Sequence, residues 1–272
     1  VEGGMVIVSA DDPGPISSQT EQDTRTFAKF SKLPCLDPSS PQEAFEMIQS
    51  AFELSEKYNT PVLLRPTTRV DHAYESMEFP VLESARKKGE FEKDTKRWVI
   101  FPRTSFFNHQ RIFERNEKIL PIEFSEPQFK YNYIEETEKK NSKNISEYAE
   151  LKKGRLSFAS GGISYSYLKE ALSILKEENP QNDLIQNAVI LKIGTPYPFP
   201  EPLAMQFLTQ CLNDNSEITV FEELDPVIEE NLIFLCGKNK TACTVHGKLD
   251  GIVPCAGELS VEIIKNIIQK LA

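Results

Sequence analysis

Short runs of β-branched and aliphatic residues constrain this chain most, because each is broken by a proline- or glycine-rich polar loop and followed by a helix-spaced apolar stripe. The first run is Met5-Val6-Ile7-Val8, too short for a helix and β-branched enough for a buried strand. It breaks at Ser9-Ala10-Asp11-Asp12-Pro13-Gly14-Pro15, where two prolines and a glycine end strand pairing and force a loop. Thr26 to Phe30 reads as a short helix and Leu33 to Leu36 as a short extended piece. Ser40-Pro41-Gln42-Glu43 fits a helix start, with Ser40 as N-cap, Pro41 as first helical residue and Glu43 as reciprocal partner of a capping box. Ala44, Phe45, Ile48, Ala51 and Phe52 then form one apolar face. The helix ends near Tyr58-Asn59, Thr60-Pro61 prevents its return, and Val62-Leu63-Leu64 is the next buried strand. Strand, loop, helix, strand is βαβ order, which predicts a parallel sheet.

The same rhythm returns after residue 150. Arg155 to Ala159, Ala188 to Ile193 and Ile218 to Phe221 read as strands, and Ala242 to Val245 as an edge strand. Helices are predicted after Gly161-Gly162, over Glu201 to Leu212, after Pro226 to about Cys236, and at the end on Ile263, Ile264, Ile267, Ile268 and Leu271. Strands alternating with helices predict a second, doubly wound sheet. Between the two regions the signal is weaker. Arg97 to Phe101 has sheet character, and Phe106, Phe107 and Phe113 are spaced as one face of a helix from Arg103 to Glu117 that Leu120-Pro121 kinks or ends. Phe124, Phe129, Tyr131, Tyr133 and Ile134 suggest a covering segment docked by aromatics, followed by a loop or frayed helix over Glu135 to Ser146.

Charge and cysteine usage exclude several classes. With 41 acidic and 31 basic residues the net charge is −10, which argues against non-specific nucleic-acid binding. No apolar run approaches the roughly 18 residues of a membrane span, and no signal-peptide pattern opens the chain. The five cysteines are widely spaced and form no CxxC, so a disulfide framework or structural zinc site is not expected; buried thiols in a reducing cytoplasm are. His72 and His109 lack companions at ligand spacing, which predicts no metal role. The chain opens abruptly before a strand, so a piece of a longer polypeptide is expected.

The polar loop after the first strand is the leading candidate site. It carries Asp11, Asp12, Ser17, Ser18, Gln19, Glu21, Asp23 and Arg25, and ligands of open α/β sheets bind at the carboxyl ends of strands. The alternative is a solvated loop whose Asp and Ser residues cap the next helix. A Gly-Gly turn such as Gly161-Gly162 presents backbone N–H groups for a phosphate, yet the GxGxxG pattern is missing and a tight packing turn explains it as well. The Glu222-Glu223-Leu224-Asp225 cluster has no metal or base partner in the sequence and reads as fold or interface groups rather than an acid/base pair.

Four segments carry a specific resemblance: GGMVIVSADDPGPISSQTEQDTRTFAKF from Gly3, PSSPQEAFEMIQSAFELSEKYNTPVLLRPTTRV from Pro38, LKIGTPYPFPE from Leu191 and VFEELDPVIEE from Val220. Together they are similar to the indolepyruvate:ferredoxin oxidoreductase alpha subunits, within the thiamine-diphosphate-dependent 2-oxoacid:ferredoxin oxidoreductases. The resemblance implies an α/β chain. A partial pyrimidine-binding-type parallel sheet would occupy residues 1–70, a connector with a helix 71–150, and a transketolase C-terminal-like domain 151–272. It implies that Ser17, Ser18, Gln19, Asp23 and Arg25 line a 2-oxoacid pocket, with Arg25 on the substrate carboxylate; a salt bridge of Arg25 to Asp11, Asp12 or Asp23 is the competing role. The implied reaction of the whole enzyme is oxidative decarboxylation of an aryl 2-oxoacid to an acyl-coenzyme A, with electrons passed to ferredoxin. Thiamine diphosphate, Mg²⁺ and iron–sulfur clusters would serve it, together with a beta-type subunit in an anaerobic cytoplasm. The GDG…N signature for Mg²⁺, clustered cysteines and the glutamate that activates the cofactor are not found, so this chain by itself is expected to be inactive and to hold no cofactor. An aliphatic 2-oxoacid as substrate, or a non-catalytic subunit shaping a partner's site, are the alternatives.

Overall fold

The computed structural model describes residues 3–15, 19–77, 93–137 and 154–272. The first sheet has three parallel strands, β1 (Val6–Val8), β2 (Cys35–Leu36) and β3 (Val62–Leu64), in the order β1-β3-β2. Val6 lies opposite Val62 and Cys35 opposite Leu63. Helix α1 (Thr24–Ser31) starts on an Asp23 cap, and α2 (Pro41–Tyr58) starts on Ser40, whose hydroxyl accepts from the Glu43 N–H at 3.2 Å. Glu43 does not complete the predicted reciprocal box. Its carboxylate accepts instead from the Ser39 N–H at 2.7 Å and Ser39 hydroxyl at 2.6 Å, and pairs with Lys192. Asn59 closes α2 in the left-handed region.

The second sheet holds β4 (Tyr133–Glu136), β5 (Ser157–Gly161), β6 (Val189–Ile193), β7 (Ile218–Phe221) and β8 (Val245–His246), in the order β4-β6-β5-β7-β8. Helices α4 (Gly162–Glu178) and α7 (Val261–Leu271) cover one face, while α5 (Glu201–Asn213) and α6 (Val227–Asn239) cover the other. That is the doubly wound arrangement the alternating pattern predicts. The strand β4 was not predicted. Tyr133 and Ile134 do not dock as a cover but pair antiparallel with Lys192 and Leu191, and Glu135 and Glu136 belong to the same strand rather than to a loop. The rest of that predicted loop, from 138, lies outside the described residues.

The connector departs most from expectation. Arg97 to Phe101 is not a strand. Asp94 caps a one-turn helix, Thr95–Trp98, and Ile100 and Phe101 stand exposed. Helix α3 (Pro102–Glu114) exists but buries none of its side chains, and Phe106 remains 60% exposed. Its Phe face stays largely exposed, with Phe107 45% and Phe113 54% exposed. A wide π turn over Arg115–Ile119 follows, and a further helical turn, Leu120–Glu123, continues through Pro121. The chain does not end at the proline because the widened turn absorbs the missing N–H just before it. Phe124 and Tyr131 do dock as predicted, against the α2 face of the first sheet.

Candidate functional site

Parallel strands bring the residues that follow each strand to one edge. After β1 comes Asp11, after β2 Asp37, after β3 Arg65, and after β7 Glu222 and Glu223; all five are buried. The two sheets meet along this edge. The Cys35 N–H donates to the Tyr197 carbonyl at 2.6 Å and the Asp37 N–H to the Gly194 carbonyl at 2.8 Å, joining β2 to the loop after β6.

Two guanidiniums organise the junction. Arg65, 2% exposed, donates from Nε to Asp11 Oδ2 at 2.6 Å and from Nη1 to Asp37 Oδ1 at 3.3 Å, with Asp23 Oδ1 at 3.7 Å from Nη2. Arg25, also 2% exposed, donates from Nε to Asp23 Oδ1 at 2.9 Å and from Nη1 to Glu222 Oε2 at 2.8 Å. Its Nη2 reaches Asp23 Oδ2 at 2.6 Å, the Glu223 carbonyl, and the Asp225 carbonyl at 3.0 Å. Asp11 in turn accepts from the Thr24 N–H at 2.7 Å. Glu222 accepts from the Ile228 and Glu229 N–H groups at the start of α6, at 2.9 and 3.0 Å. A carboxylate at a helix N-terminus completes orphan donors and faces the positive end of the dipole.

The charges follow from this geometry. The Arg25 guanidinium, and Arg65 beyond it, hold the Asp23 carboxyl well below the usual range against its burial. Burial pushes Asp37 and Glu222 up despite their arginines. Glu223 is pushed up by burial to about 7; its Oε1 accepts from the Leu259 N–H at 3.3 Å, while its Oε2 has no hydrogen-bond partner. Arg65 Nη2 likewise lacks a hydrogen bond.

The predicted loop residues are divided. Asp23 and Arg25 are brought together and Gln19 stands exposed on the loop, whereas Ser17 and Ser18 lie outside the described residues. Of the partners proposed for Arg25 the structure forms Asp23, and adds Glu222, 197 residues away, which no local pattern could reveal. Glu222 and Glu223 are thus fold and junction groups. Arg65 and Asp37 were missed by sequence reasoning; their one signal was a polar residue directly after each short apolar run. Gly161-Gly162 makes no phosphate cradle, because Gly162, at φ +52°, packs on Asp37, and an added Cβ would lie 2.8 Å from Asp37 Oδ1. Among the described residues, no group of three or more His, Cys, Asp or Glu is placed to hold a metal ion. The junction has both guanidiniums committed to carboxylates. It does not fit a diphosphate and its metal.

Two sheets, the first parallel and the second parallel apart from its edge strand β4, meet at their carboxyl edges with α-helices on their faces and define an α/β chain. In solved structures that fold recurs in a 2-oxoglutarate:ferredoxin oxidoreductase from Magnetococcus marinus at TM-score 0.57, covering 98% of this chain and 48% of that one. It recurs in a split-gene transketolase at TM-score 0.52, covering 98% and 65%. Both are 12% identical and show the fold alone. Residues 5–143 match the family model of the pyruvate flavodoxin/ferredoxin oxidoreductases, thiamine diphosphate-binding, and the chain belongs to that family. Curated relatives include the indolepyruvate oxidoreductase subunit IorA of Methanothermobacter thermautotrophicus, 36% identical over 100% of this chain and 39% of that protein. The IorA subunit of Pyrococcus horikoshii is 37% identical over 96% of this chain and 36% of that protein. The chain therefore spans less than two fifths of these relatives' length. Among the described residues, no helix is long and apolar enough to cross a membrane.

Proposed function

We infer that this chain is part of the alpha subunit of a 2-oxoacid:ferredoxin oxidoreductase acting on an aryl 2-oxoacid such as indolepyruvate. The enzyme decarboxylates the 2-oxoacid, releases carbon dioxide, transfers the acyl group to coenzyme A and passes two electrons to ferredoxin. The observation that carries this reading is the 36% identity to indolepyruvate oxidoreductase subunits across the whole chain. The position of the loop from Asp12 to Gln22, at the carboxyl edge where such folds bind ligands, supports it. Thiamine diphosphate, Mg²⁺ and iron–sulfur clusters are held by the rest of the polypeptide or by a beta-type subunit, and this chain supplies one wall. Asp23 and Arg25 anchor the base of the loop by their mutual pair and the Glu222 contact. Ser17, Ser18 and Gln19 are the other residues for which the resemblance gives the 2-oxoacid role.

The test is anaerobic viologen reduction by the intact enzyme with coenzyme A and a panel of indolepyruvate, phenylpyruvate, pyruvate and 2-oxoglutarate. Preference for the aryl acids is the expected result, and preference for an aliphatic one moves the chain to another branch of the family. The 272-residue chain alone is expected to show no turnover; measurable reduction by it overturns that part of the reading.

A further inference from the structure

An open cavity of about 640 Å³ lies at the amino ends of β2 and β3, the end of the first sheet opposite the charged junction. Leu33 and Thr60-Pro61, which lead into those strands, form its floor, and the π turn and the Thr95–Trp98 helix form its walls. Its electrostatics run against the whole molecule. The chain carries a net −10, but residues 93–118 hold seven Lys and Arg against three Asp and Glu.

Three cations on this cavity have no carboxylate partner among the described residues. Arg115, half-buried at the first position of the π turn, donates from Nε to the Asn116 side-chain carbonyl at 2.7 Å and from Nη2 to the Lys32 carbonyl at 2.8 Å. Both acceptors are neutral, and burial pulls the guanidinium below its usual value. Arg111, one helical turn earlier on α3, is on the same side of the helix and exposed. The Lys32 ammonium stands over the Tyr197 ring, 5.9 Å from its centroid. The other cations at the wall are engaged, Lys57 with Glu123 at 2.8 Å and Arg97 over the Trp98 ring at 4.8 Å. Glu114 is the one carboxylate on the lining. Trp98, Ile100 and Tyr58 supply flat and aliphatic surface beside the cations. A π turn costs helix regularity, and such turns concentrate where a side chain must be re-aimed at a site.

We propose that this cavity is a second ligand site, remote from the junction, for a small anion carrying a planar apolar group. Arg115 and Arg111 would take its carboxylate or phosphate, with Ile100 and Trp98 beside its ring. The volume suits a ligand of that size, and the exposed Arg111 guanidinium can meet either anion bidentately. The site rests on the cavity alone and not on the activity proposed above, since its test measures binding without turnover.

Equilibrium titration of the intact, substrate-free polypeptide with two probes separates the two anion chemistries. Indole-3-acetate presents a ring and a carboxylate, and adenosine diphosphate a ring and phosphates. Saturable binding of either probe, weakened at least tenfold by Arg111→Gln and by Arg115→Gln, is the expected result. The tighter probe assigns the anion. Indole itself, lacking the charge, is expected to bind at least tenfold more weakly than indole-3-acetate if the carboxylate is the ligand. Arg111 is exposed, so its substitution leaves the fold intact and isolates the contact. Absence of saturation by both probes overturns the proposal, as does equal affinity in wild type and both Gln variants.

Discussion

Glu223 is the residue whose environment most contradicts its chemistry. It lies two residues past β7, is buried, and keeps one carboxylate oxygen without a donor. Arg65 attracts its charged form, whereas Asp37 and Glu258 repel it, and the Leu259 N–H gives a single hydrogen bond. Burial outweighs these attractions, so its folded value of about 7 lies above the ordinary 4.5. The folded state therefore binds the proton more tightly than the unfolded chain. Its contribution to stability is fully present below pH 4.5 and is lost as pH rises to about 7, and its upper bound is about 3 kcal/mol. Glu223→Gln keeps an acceptor for Leu259 and removes the titration. Denaturant unfolding between pH 5 and pH 8 is expected to show the variant gaining on wild type as pH rises. Parallel curves for the two proteins would show that Glu223 stays charged when buried.

At the scale of elements, caps and turns divide into those written locally and those set by neighbours. Ser40 is a local cap: Ser40→Ala is expected to cost about 1 kcal/mol, read as a lowered denaturant midpoint with unchanged slope. Gly162 is set by a neighbour. Its φ of +52° and the 2.8 Å approach of Asp37 to any added Cβ make Gly162→Ala the costlier change, about 1–3 kcal/mol. A smaller loss than Ser40→Ala would mean the turn relaxes and Asp37 moves away. The connector shows the reverse case. Its Phe spacing marks a helix correctly, yet Phe106, Phe107 and Phe113 find no neighbour to bury them among the described residues. Periodicity specifies which face is apolar, not what covers it.

Across the molecule, the two sheets are joined by charge as much as by apolar packing. Arg25 lies on α1 beside the first sheet and grips Glu222 at the end of β7 in the second. Removing it takes the nearest cation from two buried carboxylates, leaving Asp23 the more distant Arg65 and Glu222 only the backbone N–H donors of α6. Arg25→Met is therefore expected to cost about 3–5 kcal/mol and to split one unfolding transition into two when each sheet is followed separately. Arg25→Lys rescues poorly, because one ammonium cannot reproduce the fork onto Asp23 and the Glu223 and Asp225 carbonyls. A near-neutral Arg25→Met with a raised Michaelis constant in the intact enzyme would instead put its guanidinium on the substrate.

The sequence by itself determined the strand–helix order of the two sheet regions, the helix cap at Ser40, the parallel pairing and the family, because these depend on periodicity and on contacts a few residues apart. It marked the loop after β1 as polar without saying which of its groups face inward. Only the tertiary structure decided that Arg25 turns toward Glu222, that Arg65 gathers Asp11 and Asp37, and that Tyr133 to Glu136 is an edge strand. The basic cavity behind the first sheet was also invisible in the sequence. Pairings across tens to hundreds of residues are chosen by burial, which makes an unpaired charge costly wherever the two sheets close over it.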